Sequence, residues 1–338
     1  MDKDWMRNHK NVVFCLSQRL PLRIFVLLLR VAAIVHYSLP SAFDYMGMKV
    51  KIDYLLKLKI VAVVVLCVAL LHSCVGKEPE KSIITVSILP QKYFLEQIVG
   101  DKFVVSCMLN EGNNPEAYEP SMTHLINIEK SKAYFCIGYI GFEYAIVGKA
   151  RANNPDLKIY NNSKGIEVLR GTHGVPGDEE VDPHVWSSVR NAMQIVQNMY
   201  EAVVELDPKN EKTYTENYNR LKSNLESLDK KFANMLEPKR GSAFLVWHPS
   251  LSYFANDYGL RQISIEYEGK EVPINMLKEK IDTAKASGAK VLFIQQEFDS
   301  SQAETLNEEI GAKIVRINPM NYNWVEEMED IANAIANN

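Results

Sequence analysis

Two histidines stand where imidazole could do chemistry. His184 lies in Asp182-Pro183-His184-Val185-Trp186, and His248 in Trp247-His248-Pro249. Neutral imidazole is a common ligand for divalent transition ions. Two imidazoles joined by carboxylate oxygen suit Zn²⁺ or Mn²⁺. Glu111, Glu116 and Glu119 share one loop, Glu143 follows residues 138–142, Glu297 is a reserve ligand, and Asn318 offers a neutral carbonyl oxygen. The plain alternative is that each histidine is a hydrogen-bonded structural group. Two histidines and one glutamate with an open position would also compose a catalytic zinc site. Against an enzyme, the chain has no H-E-x-x-H helix, no G-x-S-x-G elbow and no phosphate-type glycine loop.

The elements that must position these residues read as alternating strands and helices. Apolar runs at 83–88, 103–108, 133–137 and 158–160 predict one set of strands, and 243–247, 262–265, 290–294 and 313–317 a second. Continuous rather than alternating apolar character predicts parallel sheets covered on both faces. Helices are expected at 91–99, from a Ser121 cap to Lys130, and at 251–258, 274–287, 300–310 and 323–335, with Gly259, Gly288 and Gly311 at helix stops. Pro90 is expected to end the first strand. Between the two sets lie two helical stripes. The second runs Tyr214, Tyr218, Leu221, Leu225, Leu228, Phe232 and Met235, a spacing of four and three that marks one apolar face. The fold class expected is α/β: two lobes with mainly parallel sheets joined by a long connecting helix. The N-terminal lobe spans 83–186, the helical segment 187–240 and the C-terminal lobe 241–338. Ligands of open parallel sheets bind beyond the carboxyl ends of strands. That rule selects His248, Gln295, Gln296, Glu297, Asn318 and the loop carrying Glu116, and it places a cleft between the lobes.

The chain has 338 residues, 47% apolar and 24% charged, with a formal net charge of -4. This is an ordinary globular profile of about two domains, and its mild acidity argues against nucleic acid as a partner. The charge is unevenly spread: residues 1–74 carry a net of +6 and the remainder a net of -10. Residues 60–71 are twelve uncharged, apolar positions, preceded by Lys49, Lys51, Lys57 and Lys59. That is too short to span a bilayer and fits the core of a signal peptide. Leu71-His72-Ser73-Cys74 resembles the lipobox of bacterial lipoproteins, which implies lipidation at Cys74. The expected layout is an upstream extension at 1–47, a signal peptide at 48–74 and a linker at 75–82. A second membrane segment within 1–47 is the alternative. In the body, Cys107 and Cys136 lie on expected strands, where packed free thiols are preferred to a disulfide.

Three segments carry a family resemblance. Asn114-Pro115-Glu116-Ala117-Tyr118-Glu119-Pro120 is similar to a Pro-His-x-Tyr-Glu-Pro loop. Residues 182–186 match an Asp-Pro-His-x-Trp segment. Trp247-His248-Pro249 with Tyr253-Phe254-Ala255 and Tyr258-Gly259-Leu260 resembles a third ligand segment. Together they resemble the cluster 9 substrate-binding proteins, the zinc- and manganese-binding components of ABC importers. The resemblance implies a ligand set of Glu116, His184, His248 and Asn318. It also implies Zn²⁺ (or Mn²⁺) as the transported ligand, an ABC permease as partner, and a monomeric receptor facing the periplasm or exterior. Two positions depart from the family: Glu116 stands for a histidine and Asn318 for an aspartate. The set keeps a formal charge of -1 but moves it to the first lobe. A cleft freed for a chelate or small organic solute is the competing expectation. The loop at 171–181, with His173, Asp178, Glu179 and Glu180, is short for a metal-collecting loop.

Overall fold

The computed structural model describes residues 81–110, 112–115, 118–170, 180–266, 272–273, 275–296 and 301–338. The expected extension, signal peptide, Cys74 and most of the linker lie outside the described residues, as do Glu111, Glu116, Glu297, His173, Asp178 and Glu179.

The first lobe contains β1 (Ile83–Val86), α1 (Leu89–Val99), β2 (Val104–Cys107), α2 (Met122–Lys130), β3 (Ala133–Cys136), α3 (Gly141–Asn153) and β4 (Lys158–Asn161). The second contains β5 (Ala243–Val246), α6 (Ser252–Tyr258), β6 (Arg261–Ser264), α7 (Leu277–Ser287), β7 (Val291–Gln295), α8 (Ser301–Ile310), β8 (Lys313–Ile317) and α9 (Trp324–Ala336). Each lobe holds a four-stranded sheet, in the orders β2-β1-β3-β4 and β6-β5-β7-β8. Every pairing between these strands is parallel. The topology is therefore the same in both lobes, and the crevice beyond the strand ends falls at the same place in each order.

Pro90 does not simply end β1. It occupies the first turn of α1, where a missing N–H costs nothing. Helix α3 was not expected from the sequence, because its buried face includes a glutamate beside Phe142, Ile146 and Ala150. Cys107 and Cys136 are free thiols. They sit on β2 and β3, which flank β1. Two strand spacings part them by about 10 Å, beyond the roughly 7 Å that a disulfide tolerates between Cα atoms.

Helices α4 (Val189–Leu206) and α5 (Glu211–Leu236) join the lobes. The expected stripe is one unbroken helix of 26 residues, with Tyr214, Leu221, Leu225, Leu228, Phe232 and Leu236 buried. One apolar core runs from Ile84, Phe94 and Phe135 through α4 and α5 to Phe244, Phe254, Phe293 and Trp324. A smaller core, with Leu245, Trp247, Leu292 and Ile294, covers the other face of the second sheet. The lobes thus share most of their buried apolar surface, which resists wide opening between them.

Candidate metal centre

His184 and His248 meet in the crevice, each 3% exposed. Their Nε2 atoms are 3.4 Å apart and the ring planes are inclined by 69°. His184 opens a single 3-10 turn at Val185–Ser187, and His248 lies two residues beyond β5.

Each ring is oriented through its other nitrogen. His184 Nδ1 is 2.8 Å from Asp182 Oδ1, which also accepts the His184 backbone N–H at 2.9 Å. His248 Nδ1 is 2.8 Å from Glu266 Oε1. A carboxylate only accepts, so both protons sit on Nδ1 and the two Nε2 lone pairs face one another. Two acceptors at that separation repel unless a cation lies between them. Nitrogens about 2.05 Å from one ion at a tetrahedral angle stand about 3.3 Å apart, close to the separation observed. Asp182 and Glu266 add two formal negative charges behind the imidazoles, which a dication would balance. Burial pushes the Asp182 carboxyl up, but bonds from His184 and Ser252 outweigh it and hold it below its ordinary range. Glu266 Oε2 is buried with no hydrogen-bond partner among the described residues.

The space at the histidines is a cavity of about 10 Å³, lined by Asn114, Pro115, His184, Trp186, His248, Ser250, Pro319 and Met320. That admits one water-sized sphere. Asn114 and Pro115, which follow β2, form part of the cavity wall. Asn318 is buried, and its Oδ1 accepts the Met320 N–H at 3.1 Å. Pro319 and Met320 therefore face the cavity, while the amide of Asn318 is partly committed to its own turn.

The segment of His184 is tied to the second lobe at both ends. Tyr253 donates its hydroxyl to the Asp182 carbonyl at 2.9 Å and accepts the Leu169 N–H at 3.1 Å. Trp186 Nε1 donates to the Pro319 carbonyl at 3.1 Å, and Trp324 Nε1 to the Trp186 carbonyl at 2.9 Å. Tyr253 is thus buried with a positioning role that its place on an apolar helix face does not reveal.

Glu143 is not at the histidines. It is 2% exposed and caps α3: its carboxylate accepts the N–H groups of Ile137 at 2.7 Å, Gly138 at 2.6 Å and Ile140 at 3.4 Å, and the Ser87 hydroxyl. His124 is half-buried and bonded to the Tyr118 hydroxyl, which donates to the Met108 carbonyl at 2.9 Å. Glu266 was missed by sequence reasoning, although the rule that selected His248 points to it: it follows the end of β6 by two residues.

A two-lobed α/β scaffold with paired imidazoles in its crevice is the architecture of a binding protein for a small, single ion. Residues 84–338 match the family described as zinc-uptake complex component A, periplasmic, and the chain belongs to that family. The high-affinity zinc uptake system protein ZnuA of Bacillus subtilis is 26% identical over 252 residues, covering 71% of this chain and 79% of its own. The zinc-binding lipoprotein AdcA of Streptococcus pneumoniae is 24% identical over 268 residues, and the match spans 54% of its length. A crystal structure of ZnuA superimposes with a TM-score of 0.71 at 36% identity, covering 76% of this chain and 99% of the other. A ZnuA deletion mutant with zinc bound superimposes with a TM-score of 0.70, also at 36% identity.

Proposed function

We propose that this protein is an extracytoplasmic receptor that captures Zn²⁺ (or Mn²⁺) and delivers it to an ABC permease in the membrane. His184 and His248 supply two nitrogens, Glu116 a charged oxygen and Asn318 a weaker fourth donor. Cys74 is the point of lipid attachment, and the receptor acts as a monomer. The observation that carries this reading is the pair of Nε2 lone pairs facing each other at 3.4 Å, each fixed by a carboxylate. The cavity supports an ion over an organic solute, because about 10 Å³ holds one small sphere, whereas organic ligands occupy roughly 300 Å³ or more. The names of the relatives, a zinc uptake system protein and a zinc-binding lipoprotein, agree with it.

Elemental analysis of protein purified without a histidine tag tests the reading. About one zinc or manganese per chain is expected. Protein that carries neither ion, and takes up neither after chelator stripping, would overturn it. Among the described residues no helix is long and apolar enough to cross a membrane; the lipobox-like residues 71–74 are what supports attachment through a lipid on Cys74. Cys74→Ala should leave a folded body that no longer partitions into detergent; unchanged partitioning would move the anchor to residues 1–47.

A further inference from the structure

We propose that Gln295 is a positioning residue that sets the spacing of the two imidazoles and thereby the preference of the centre for a tetrahedral ion. The inference rests on the metal-binding reading above.

The second sheet comes apart just beyond the carboxyl end of β5. β5 pairs with β7 through Leu245↔Leu292 and Val246↔Phe293, and the Trp247 N–H still reaches the Phe293 carbonyl at 2.8 Å. One residue later, at His248, the partner is no longer backbone. The fully buried side chain of Gln295, at the end of β7, takes its place. Gln295 Oε1 accepts the His248 N–H at 3.2 Å, and Gln295 Nε2 donates to the His248 carbonyl. Nε2 also donates to Ser250 Oγ at 2.6 Å. An N–H can only donate and a carbonyl only accept, so this network fixes which way the amide points.

Gln295 therefore acts as one more rung of the ladder at the point where the strands must diverge to open a crevice. It holds the His248 peptide from one side while Glu266 holds the ring from another. His184 is held independently by Asp182, Tyr253 and Trp186. With both imidazoles held in this way, the 3.4 Å between the Nε2 atoms is set by the scaffold around them. A tetrahedral ion gains most from a preset spacing of that size. An ion that favours six oxygen-rich ligands uses the pair less well and loses less when it loosens.

The test compares Gln295→Met, which keeps the volume and removes all three bonds, with Ser250→Ala, which removes one. Chelator-stripped full-length protein is titrated with Zn²⁺ and with Mn²⁺, and the visible spectrum of the Co²⁺-loaded protein reports coordination geometry. Gln295→Met should weaken Zn²⁺ binding about 10- to 100-fold, the usual consequence of losing an outer partner. Mn²⁺ binding should fall by a clearly smaller factor, and the intense absorption of tetrahedral Co²⁺ should decline. Ser250→Ala should move the Zn²⁺ to Mn²⁺ ratio in the same direction by less. Equal losses for both ions, or a parental Co²⁺ spectrum and ratio, would overturn the proposal. If Gln295→Met does not fold, an unchanged ratio in Ser250→Ala overturns it alone. A parent protein that binds neither ion instead removes the metal-receptor reading itself, so the two failures are distinguishable.

Discussion

Replacing Glu266 by glutamine keeps an acceptor beside His248 Nδ1 and removes one buried charge. The parent bond is 2.8 Å long and joins two side chains that are 4% and 3% exposed, so solvent screens it little. A hydrogen bond to a charged group contributes about 1.5–3 kcal/mol and a neutral one about 1 kcal/mol. An ion on Nε2 draws electron density from the ring and strengthens the Nδ1–H bond to the carboxylate, so most of that difference appears on metal binding. The loss is then about 1–2 kcal/mol, or roughly 5- to 30-fold in Kd for Zn²⁺. Glu266→Leu also removes the acceptor and should cost more, up to about 100-fold. Competition against a chelating dye of known affinity reads both values. Zn²⁺ affinity within twofold of the parent for both variants would show that Glu266 does not support a ligand, and the role assigned to His248 would lose its main structural argument.

Three further outcomes follow from the same geometry. Asp182 titrates below its ordinary value of 3.8 because His184 outweighs the cost of burial. Its contribution to stability is therefore present above the unfolded value and lost as pH falls through the lower folded one. Asp182→Asn should unfold more easily at neutral pH and lose less stability than the parent as pH falls below the ordinary carboxylate value; parallel acid limbs in thermal melts would refute this. Burial pushes the thiols of Cys107 and Cys136 up to about 12, so at pH 8 only about one in 10⁴ is thiolate. Alkylation followed by peptide mapping should find both unmodified until denaturant is added, and rapid labelling of the native protein would contradict the packing described. Because one core spans both lobes, solution scattering of stripped and metal-loaded protein should superimpose; a large compaction on loading would contradict a shared core.

The parallel sheets were legible because strands buried on both faces have no polar alternation to blur them, as in residues 133–137 and 290–294. The long helix was legible because its buried residues repeat every three or four positions over 26 residues. Helix α3 was hidden because Glu143, a charged side chain, occupies its buried face as a cap for the chain's own N–H groups. The histidines stood out through their neighbours in sequence, and the structure brings them together. Their supports were visible only in part. Asp182 is two residues from His184, so the short motif contains it. Glu266 reaches His248 across 18 residues and Gln295 across 47, and only pairing of β5 with β6 and β7 brings those positions into contact. Asn318 matched a motif position, yet its amide oxygen serves its own turn, which accords with the weak role proposed for it.

The central claim is that His184 and His248 together hold one divalent ion. Calorimetric titration of chelator-stripped protein with Zn²⁺ tests it most directly, using the parent, His184→Ala, His248→Ala and the double variant. One ion per parent chain is expected, with binding that weakens on acidification because protons compete for the same Nε2 lone pairs. Each single variant should lose affinity by at least about 100-fold, and the double variant should lose little more than either, since the two nitrogens act on one ion. Single and double variants that bind Zn²⁺ like the parent would contradict the account.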